Sequence, residues 1–382
     1  MKRFIPWFFL ALLLCPLPCR ALEAELESTL EGVLASYDLG AWQESYSQLP
    51  QEIRELWGYG DVRSLIAGYA LGEEQADGGL LTGLWRQGLA AVAASMKSLG
   101  AILAITLICG LLEAILGRGQ NGVKEMANFL CYGVCVMILS AMMAGQLSLA
   151  AQAVGAICDL LEALAPLLVA LLAAVGATSS AGMVQPVFVL LSGTVAKAVQ
   201  EGLLPAVMSA GVLQIVGALT GQERIGRLSA AIKSFVKWAM GGLTTIFLGI
   251  MTIRGMSAGG VDSLSFRTMK YTLDKSLPLV GGVVAGSLDS VRGCTILIKN
   301  AAGIAAVLLG LGMVLTPLLQ LGGMSLALRL TGALCAQVSD GRMPRMLDGL
   351  ADICRYMFGC VGLVTLMYVL TMGLVAALGS GV

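Results

Sequence analysis

Apolar residues run almost without interruption from about residue 98 to residue 382, and only short loops separate them. Hydropathy predicts clear membrane spans at about 98–117, 127–148, 203–220, 235–253, 317–335 and 357–379. Each is close to the ~20 residues that a transmembrane helix needs. The pattern therefore predicts an all-α, polytopic membrane helix bundle.

Two further apolar regions, 153–199 and 277–315, do not resolve into single spans. Each holds two apolar stretches separated by small or polar residues, at 178–182 in the first and at 290–293 in the second. Each region is either two crossings or a re-entrant hairpin, whose broken helix must be covered by protein or water. Both alternatives return the chain to the same side, so the predicted orientation does not depend on the choice.

The N-terminal segment 1–21 is typical of a signal peptide. Lys2 and Arg3 precede a short apolar stretch, Pro16 and Pro18 end it, and small residues follow around Ala21. A retained, shortened first helix is the alternative. In both cases the next segment is expected outside the cytoplasm.

Segment 22–97 differs from the rest of the chain because it is strongly acidic. It holds twelve Asp and Glu against four Lys and Arg, so its net charge is 4 − 12 = −8. Leucines at helical spacing predict amphipathic helices there. A helical segment that docks onto partners or the membrane surface, and a loosely ordered arm, both fit this pattern.

Basic residues between the spans set the predicted orientation. If 22–97 lies outside, the turns after spans 98–117, 203–220 and 317–335 face the cytoplasm, and these turns are rich in Lys and Arg, as the positive-inside rule requires. The loop 254–276 is an exception, because it would hold four basic residues outside. A candidate cytoplasmic basic surface, for anionic lipid or a docking subunit, consists of Arg224, Arg227, Arg342 and Arg345.

The second half of the chain resembles the first. Pro166 and Pro205 are 39 residues apart, as are Pro278 and Pro317, and a Leu-Thr-Gly sequence followed by paired arginines occurs in both halves. The predicted organisation is therefore two transmembrane helices in 98–150, one membrane repeat in 151–260 and a second in 261–382. Repeats with broken helices are typical of transporters.

The amino-acid composition mainly excludes several kinds of catalytic and metal site. The chain has 57% hydrophobic and 13% charged residues, and it contains no histidine. A Ser-His-Asp arrangement and a histidine zinc site are excluded, and no phosphate-binding loop is present. The ten cysteines lie in the signal segment or in or beside apolar segments, which indicates no disulfide framework. We therefore predict no enzyme, catalytic residue, metal, cofactor or nucleic-acid partner.

Ionisable residues inside the apolar segments are the best site candidates. A charge at mid-membrane costs about 2.5–3.5 kcal/mol on insertion scales, so such groups usually pair or line a wet cavity. Some of them could instead lie at the interface and extend their charges to water. The predicted residues of a buried polar path or of subunit contacts are Asp159, Glu162, Lys197, Asp289, Arg292, Lys299 and Asn300.

Three stretches carry a family resemblance. They are GVDSLSFRTMKY at 260–271, LPLVGG at 277–282 and LIKNAAG at 297–303. They resemble stage III sporulation protein AE of endospore-forming bacteria, and the likeness extends over most of the chain. It implies a multi-pass protein of the mother-cell membrane around the forespore. The implied partners are the other membrane proteins of a channel-like complex, with an ATPase supplied by another subunit.

Two function classes follow from these observations. The first is the integral membrane core of a multi-protein conduit between mother cell and forespore, with membrane lipid as a further partner and self-association left open. The alternative is a self-sufficient secondary transporter with a site between the two repeats.

Overall fold

The computed structural model describes residues 39–71, 121–220, 223–276, 281–337 and 342–378, with isolated positions between 86 and 108. The predicted signal peptide 1–21 and much of span 98–117 lie outside the described residues. All regular elements within the described ranges are helices. The predicted all-α class is therefore confirmed.

Three short helices form the described part of the acidic N-terminal segment: α1 (Gly40–Ser47), α2 (Gln51–Trp57) and α3 (Val62–Leu71). Gln43 on α1 accepts a hydrogen bond from the backbone N–H of Val62 at 3.0 Å, which joins α1 to the start of α3. Asp61 precedes α3, and its Oδ1 accepts a hydrogen bond from the backbone N–H of Ser64 at 2.8 Å. This satisfies one of the unpaired N–H groups at the helix start, and hydrogen bonds from Ser64 hold the pKa of Asp61 below its usual value.

The membrane region consists of longer helices. They are α4 (Asn121–Ala174), α5 (Thr178–Val189), α6 (Leu204–Thr220), α7 (Glu223–Ser276), α8 (Gly281–Cys335) and α9 (Arg342–Ala377), with two π-helical turns (Leu190–Val195 and Ala198–Leu203) between α5 and α6. Five stretches of the described chain are long and apolar enough to cross a membrane: Tyr132–Ala174, Thr178–Ala218, Arg224–Ile253, Arg292–Cys335 and Met343–Ala377. The chain is a multi-pass membrane protein.

Several predicted spans merge into single helices. Span 127–148 and the first part of 153–199 belong to α4, which continues through Pro166. Span 203–220 continues directly from the π-helical turns, so 178–220 is one helical rod. The predicted boundaries between these spans fall at small and polar residues. These lower the hydropathy, but they keep their backbone hydrogen bonds inside a helix.

One of the two predicted breaks is real, and it lies slightly earlier than expected. α4 ends at Ala174 and α5 begins at Thr178, with Gly176 between them at φ 84°. That left-handed conformation is one that glycine adopts without steric cost. The turn makes α4 and the rod 178–220 an antiparallel hairpin.

Two other predictions about loops are wrong. The predicted break at 290–293 lies inside α8, which is continuous through Pro317 into the predicted span 317–335. The predicted loop 254–276 is the last part of α7. Because these mergers remove crossings in pairs, the starts of α4, α7 and α9 remain together on one side of the bundle.

The most extensive contact between two helices of the described chain is the seam between α8 and α9, which run antiparallel. Tyr368 on α9 is fully buried, and its hydroxyl donates a hydrogen bond to the backbone carbonyl oxygen of Ala306 at 2.5 Å. A Cβ at Gly310 would lie 2.1 Å from Tyr368 Cε1, so only glycine fits there. Such small residues allow helix axes to approach closely in lipid, where packing drives association.

The seam can be tested by adding one methyl group. We expect Gly310→Ala to lower the free energy of unfolding by about 1–3 kcal/mol, because the new Cβ overlaps the ring of Tyr368. Thermal unfolding in detergent would measure this loss. The matched control is Gly362→Ala on α9, where a new Cβ meets nothing within 4 Å. Equal stability of the two variants would show that the seam is looser than described.

Candidate functional site

Lys299 on α8 is the most buried of the predicted ionisable residues whose side chains the structure describes. Its side chain is fully buried, and its Nζ donates hydrogen bonds to the backbone carbonyl oxygens of Ala376, at 2.9 Å, and of Leu378. These carbonyls lie at the C-terminal end of α9, where they have no partner within the helix and carry partial negative charge. The ammonium group therefore caps α9 and ties its end to α8.

The neighbours of Lys299 are only partly described. Arg292 is half-buried and lies seven residues before Lys299 on the unbroken helix, about 10 Å away on the same face. The side-chain oxygen of Asn300 is buried and accepts no hydrogen bond from any described residue. Asp289 belongs to α8, but its side chain lies outside the described part of the structure. A polar path through these residues remains a prediction.

A second group of predicted residues lies on the hairpin made by α4 and the rod 178–220. Asp159 and Glu162 on α4 are exposed, as are Lys197 and Glu201 on the rod. We call these four residues the charge belt. Among the described residues, no hydrogen bond or ion pair joins any of them to a partner.

Contacts across the hairpin show that the charge belt occupies a narrow range of depth. The Nε2 of Gln200 donates a hydrogen bond to the carbonyl oxygen of Ala151 at 3.1 Å, and it lies 3.3 Å from where a Cβ of Gly155 would be. Residue 200 is therefore level with residues 151–155. In an antiparallel pair, Lys197 is then level with residues 154–158, close to Asp159.

The backbone around Lys197 departs from α-helical geometry. Its neighbours form the two π-helical turns, Leu190–Val195 and Ala198–Leu203. π-helical turns inside α-helices are rare and occur frequently at functional sites. Sequence reasoning found the charged residues of this region but not the change in helix type, for which hydropathy has no signal.

The predicted basic surface lies at the starts of two long helices. Arg224 and Arg227 are exposed at the beginning of α7, and Arg345 is exposed at the beginning of α9. Arg342 is the first residue of α9, but its side chain is outside the described part of the structure. Two helix-to-helix turns of the bundle thus carry basic residues on the same side.

Sequence reasoning missed a small ion-pair network near this basic surface. Asp352 on α9 accepts a hydrogen bond from Arg329 on α8 at 3.0 Å and pairs with Arg355 at 3.1 Å. The i,i+3 spacing of Asp352 and Arg355 was the available signal. The partner from α8 depends on the α8–α9 register, which the sequence does not state.

The described residues contain no cluster of three or more His, Cys, Asp or Glu side chains that could hold a metal ion. The six cysteines whose state the structure describes are free thiols: Cys135, Cys158, Cys294, Cys335, Cys354 and Cys360. Within these ranges the bundle therefore offers charged contacts rather than a metal or disulfide centre.

The three short helices α1–α3, which we call the outer helices after the predicted orientation, pack onto the middle of α8. At Gly312, a Cβ would lie 2.7 Å from Cη2 of Trp57 and 2.9 Å from Cδ2 of Leu49. Trp42, Tyr46 and Leu65 are buried in the same hydrophobic cluster as residues of α4, α8 and α9. The described part of the acidic segment is therefore docked on the bundle rather than a loose arm.

Comparison with known proteins gives one consistent family. The family model of stage III sporulation protein AE matches residues 61–379. Stage III sporulation protein AE of Bacillus subtilis (strain 168) is 26% identical over 290 residues, which cover 76% of this chain and 73% of the relative. No solved structure matches this chain. The matched range includes every predicted site residue.

The position of Lys299 predicts a structural effect of its removal. Lys299→Met should leave the carbonyl oxygens at the end of α9 buried and unpaired, at a cost of about 1–3 kcal/mol. We expect lower membrane levels and faster proteolysis of the C-terminal helix, measured by immunoblotting after limited digestion.

The control for this prediction is Lys237→Met, which removes an exposed charge from α7. It should leave both readouts unchanged. Normal levels of the Lys299→Met protein together with lost function in sporulating cells would contradict the capping role and favour a polar path through Lys299.

Proposed function

Since its family model covers most of the chain, this protein belongs to the stage III sporulation protein AE family, and we propose that it is the integral membrane core subunit of a multi-protein conduit between mother cell and forespore. The family assigns it to sporulation. The name of this family denotes a sporulation protein and not a class of enzyme. The mother-cell membrane around the forespore is the proposed location.

The observation that carries the proposal is the contact of the outer helices with the middle of α8. α8 has 55 residues, and Gly312 lies at the point where Trp57 and Leu49 contact it. If the acidic segment lies outside, this contact marks the outer side of α8, and the turn that follows Cys335 lies at the cytoplasmic face.

The apolar stretch Arg292–Cys335 of α8 is about 65 Å long, which exceeds the ~40–45 Å of a bilayer with its headgroups, so the start of α8 would project beyond the outer face of the membrane. The end of α7, the predicted outer loop 254–276, would project on the same side. Helices that extend so far into the space between two membranes suit a component that meets partners there. A self-contained permease has no use for such an extension.

The transporter alternative lacks a matching site in the described residues. Lys299 is the one charged side chain among them that is fully buried, and it is occupied in capping α9. A substrate or coupling-ion site between repeats would need several converging polar groups that are free to bind, and beside Lys299 the buried oxygen of Asn300 is a single such group. We therefore place the partner-binding surfaces on the outer helices and on the basic cytoplasmic turns.

Co-purification from sporulating cells tests this proposal. The tagged wild-type protein should retain a stable set of other membrane proteins, identified by mass spectrometry. Gly312→Leu should lose most of them while remaining in the membrane, because its side chain would displace Trp57 and the outer helices. The matched control is Gly241→Leu on α7, where a Cβ also meets nothing within 4 Å. Purification of the wild-type protein alone would contradict the conduit and favour a transporter.

A further inference from the structure

We propose that the hairpin of α4 and the rod 178–220 binds a second copy of this chain, with Asp159 and Glu162 of one copy pairing with Lys197 of its neighbour. The contact goes beyond the proposed function and does not depend on it, because a transporter could also assemble in this way. Two observations support it: the charges are complementary, and they lie at nearly the same depth.

The charges on this hairpin have no partner within the part of the chain that the structure describes. Asp159, Glu162 and Lys197 are exposed, and none has a hydrogen bond or ion pair with another described residue. They are also isolated in sequence, because the 34 residues from 163 to 196 and the 27 residues from 132 to 158 contain no charged side chain. Ions placed in such apolar surroundings usually find partners.

A shared membrane restricts which groups of two copies can meet. All copies are inserted in the same direction, so neighbouring copies are related by rotation about an axis normal to the bilayer. A side chain can then pair only with a group of the neighbour at its own depth. Most acid–base pairs in a chain fail this condition.

Asp159 and Lys197 meet the depth condition. Because Gln200 is level with residues 151–155, Lys197 is level with residues 154–158. Asp159 is one to five residues further along α4, which corresponds to about 2–8 Å of helix rise. Glu162, one turn beyond Asp159, lies slightly further out. A lysine side chain of the neighbouring copy could reach either carboxylate.

The surface around Lys197 also allows a neighbouring helix to approach. A Cβ at Gly193 or Gly202 would meet nothing within 4 Å, so both glycines border open space. Small residues of this kind are enriched where membrane helices from different chains come together. Glu201 lies one helical turn from Lys197 on the side away from Asp159 and Glu162, so its carboxylate would not face these two groups.

The test uses the full-length protein carrying two different tags, co-expressed in the same membrane and solubilised in mild detergent. Recovery of one tag with the other measures self-association. Lys197→Glu in both copies should lower this recovery about tenfold, because carboxylates would then face carboxylates. The triple variant Asp159→Lys, Glu162→Lys, Lys197→Glu should restore it, because the two signs are exchanged. Lys237→Glu makes the same charge change on an exposed residue of α7 and should have no effect.

Restoration by the triple variant excludes misfolding as the reason for the loss in Lys197→Glu. Cross-linking gives a second measurement in a background without native cysteines. A copy with Asp159→Cys and a copy with Lys197→Cys should form a disulfide-linked pair when co-expressed. Self-association that survives Lys197→Glu would overturn the proposal. Loss of self-association without restoration in the triple variant would also overturn it, because the loss would then not come from pairing of Lys197 with Asp159 and Glu162.

Discussion

The seam between α8 and α9 is the contact on which the rest of the described bundle depends. Lipid tails are as apolar as the side chains that face them, so helices in a membrane are held together by close packing and hydrogen bonds. The seam supplies both, because Gly310 receives the ring of Tyr368 and Lys299 binds the end of α9. α8 then carries the outer helices at Gly312, while α9 contacts α4 and α6.

The charged residues of the bundle fall into two groups with different roles. Lys299 and the network of Arg329, Asp352 and Arg355 act within the chain, where they join α8 to α9 or lie along that seam. The charge belt and the basic starts of α7 and α9 face outward. Lys299 and this ion-pair network stabilise the contact between α8 and α9. The charge belt has no partner among the described residues and is available to neighbours, which suits a subunit of an assembly better than an isolated carrier.

The sequence was sufficient for the helical class, the membrane location and the grouping of the basic turns, because hydropathy and charge are local properties. It was misleading about 254–276 and 290–293, where polar residues lower the hydropathy without ending a helix. It could identify Lys299 as a residue in apolar surroundings but not its role, because the partner Ala376 is 77 residues away. The depth relation between Asp159 and Lys197 depends on the turn at Gly176, whose register hydropathy does not give.

The account rests most on the orientation of the bundle, with the outer helices outside and the basic turns in the cytoplasm. Single cysteines at Glu44 on α1 and at Arg227 on α7, in a background without native cysteines, test this orientation directly with a membrane-impermeant thiol reagent. The account predicts labelling at position 44 in intact cells and labelling at position 227 only after the membrane is opened. Labelling at 227 with protection at 44 would contradict it.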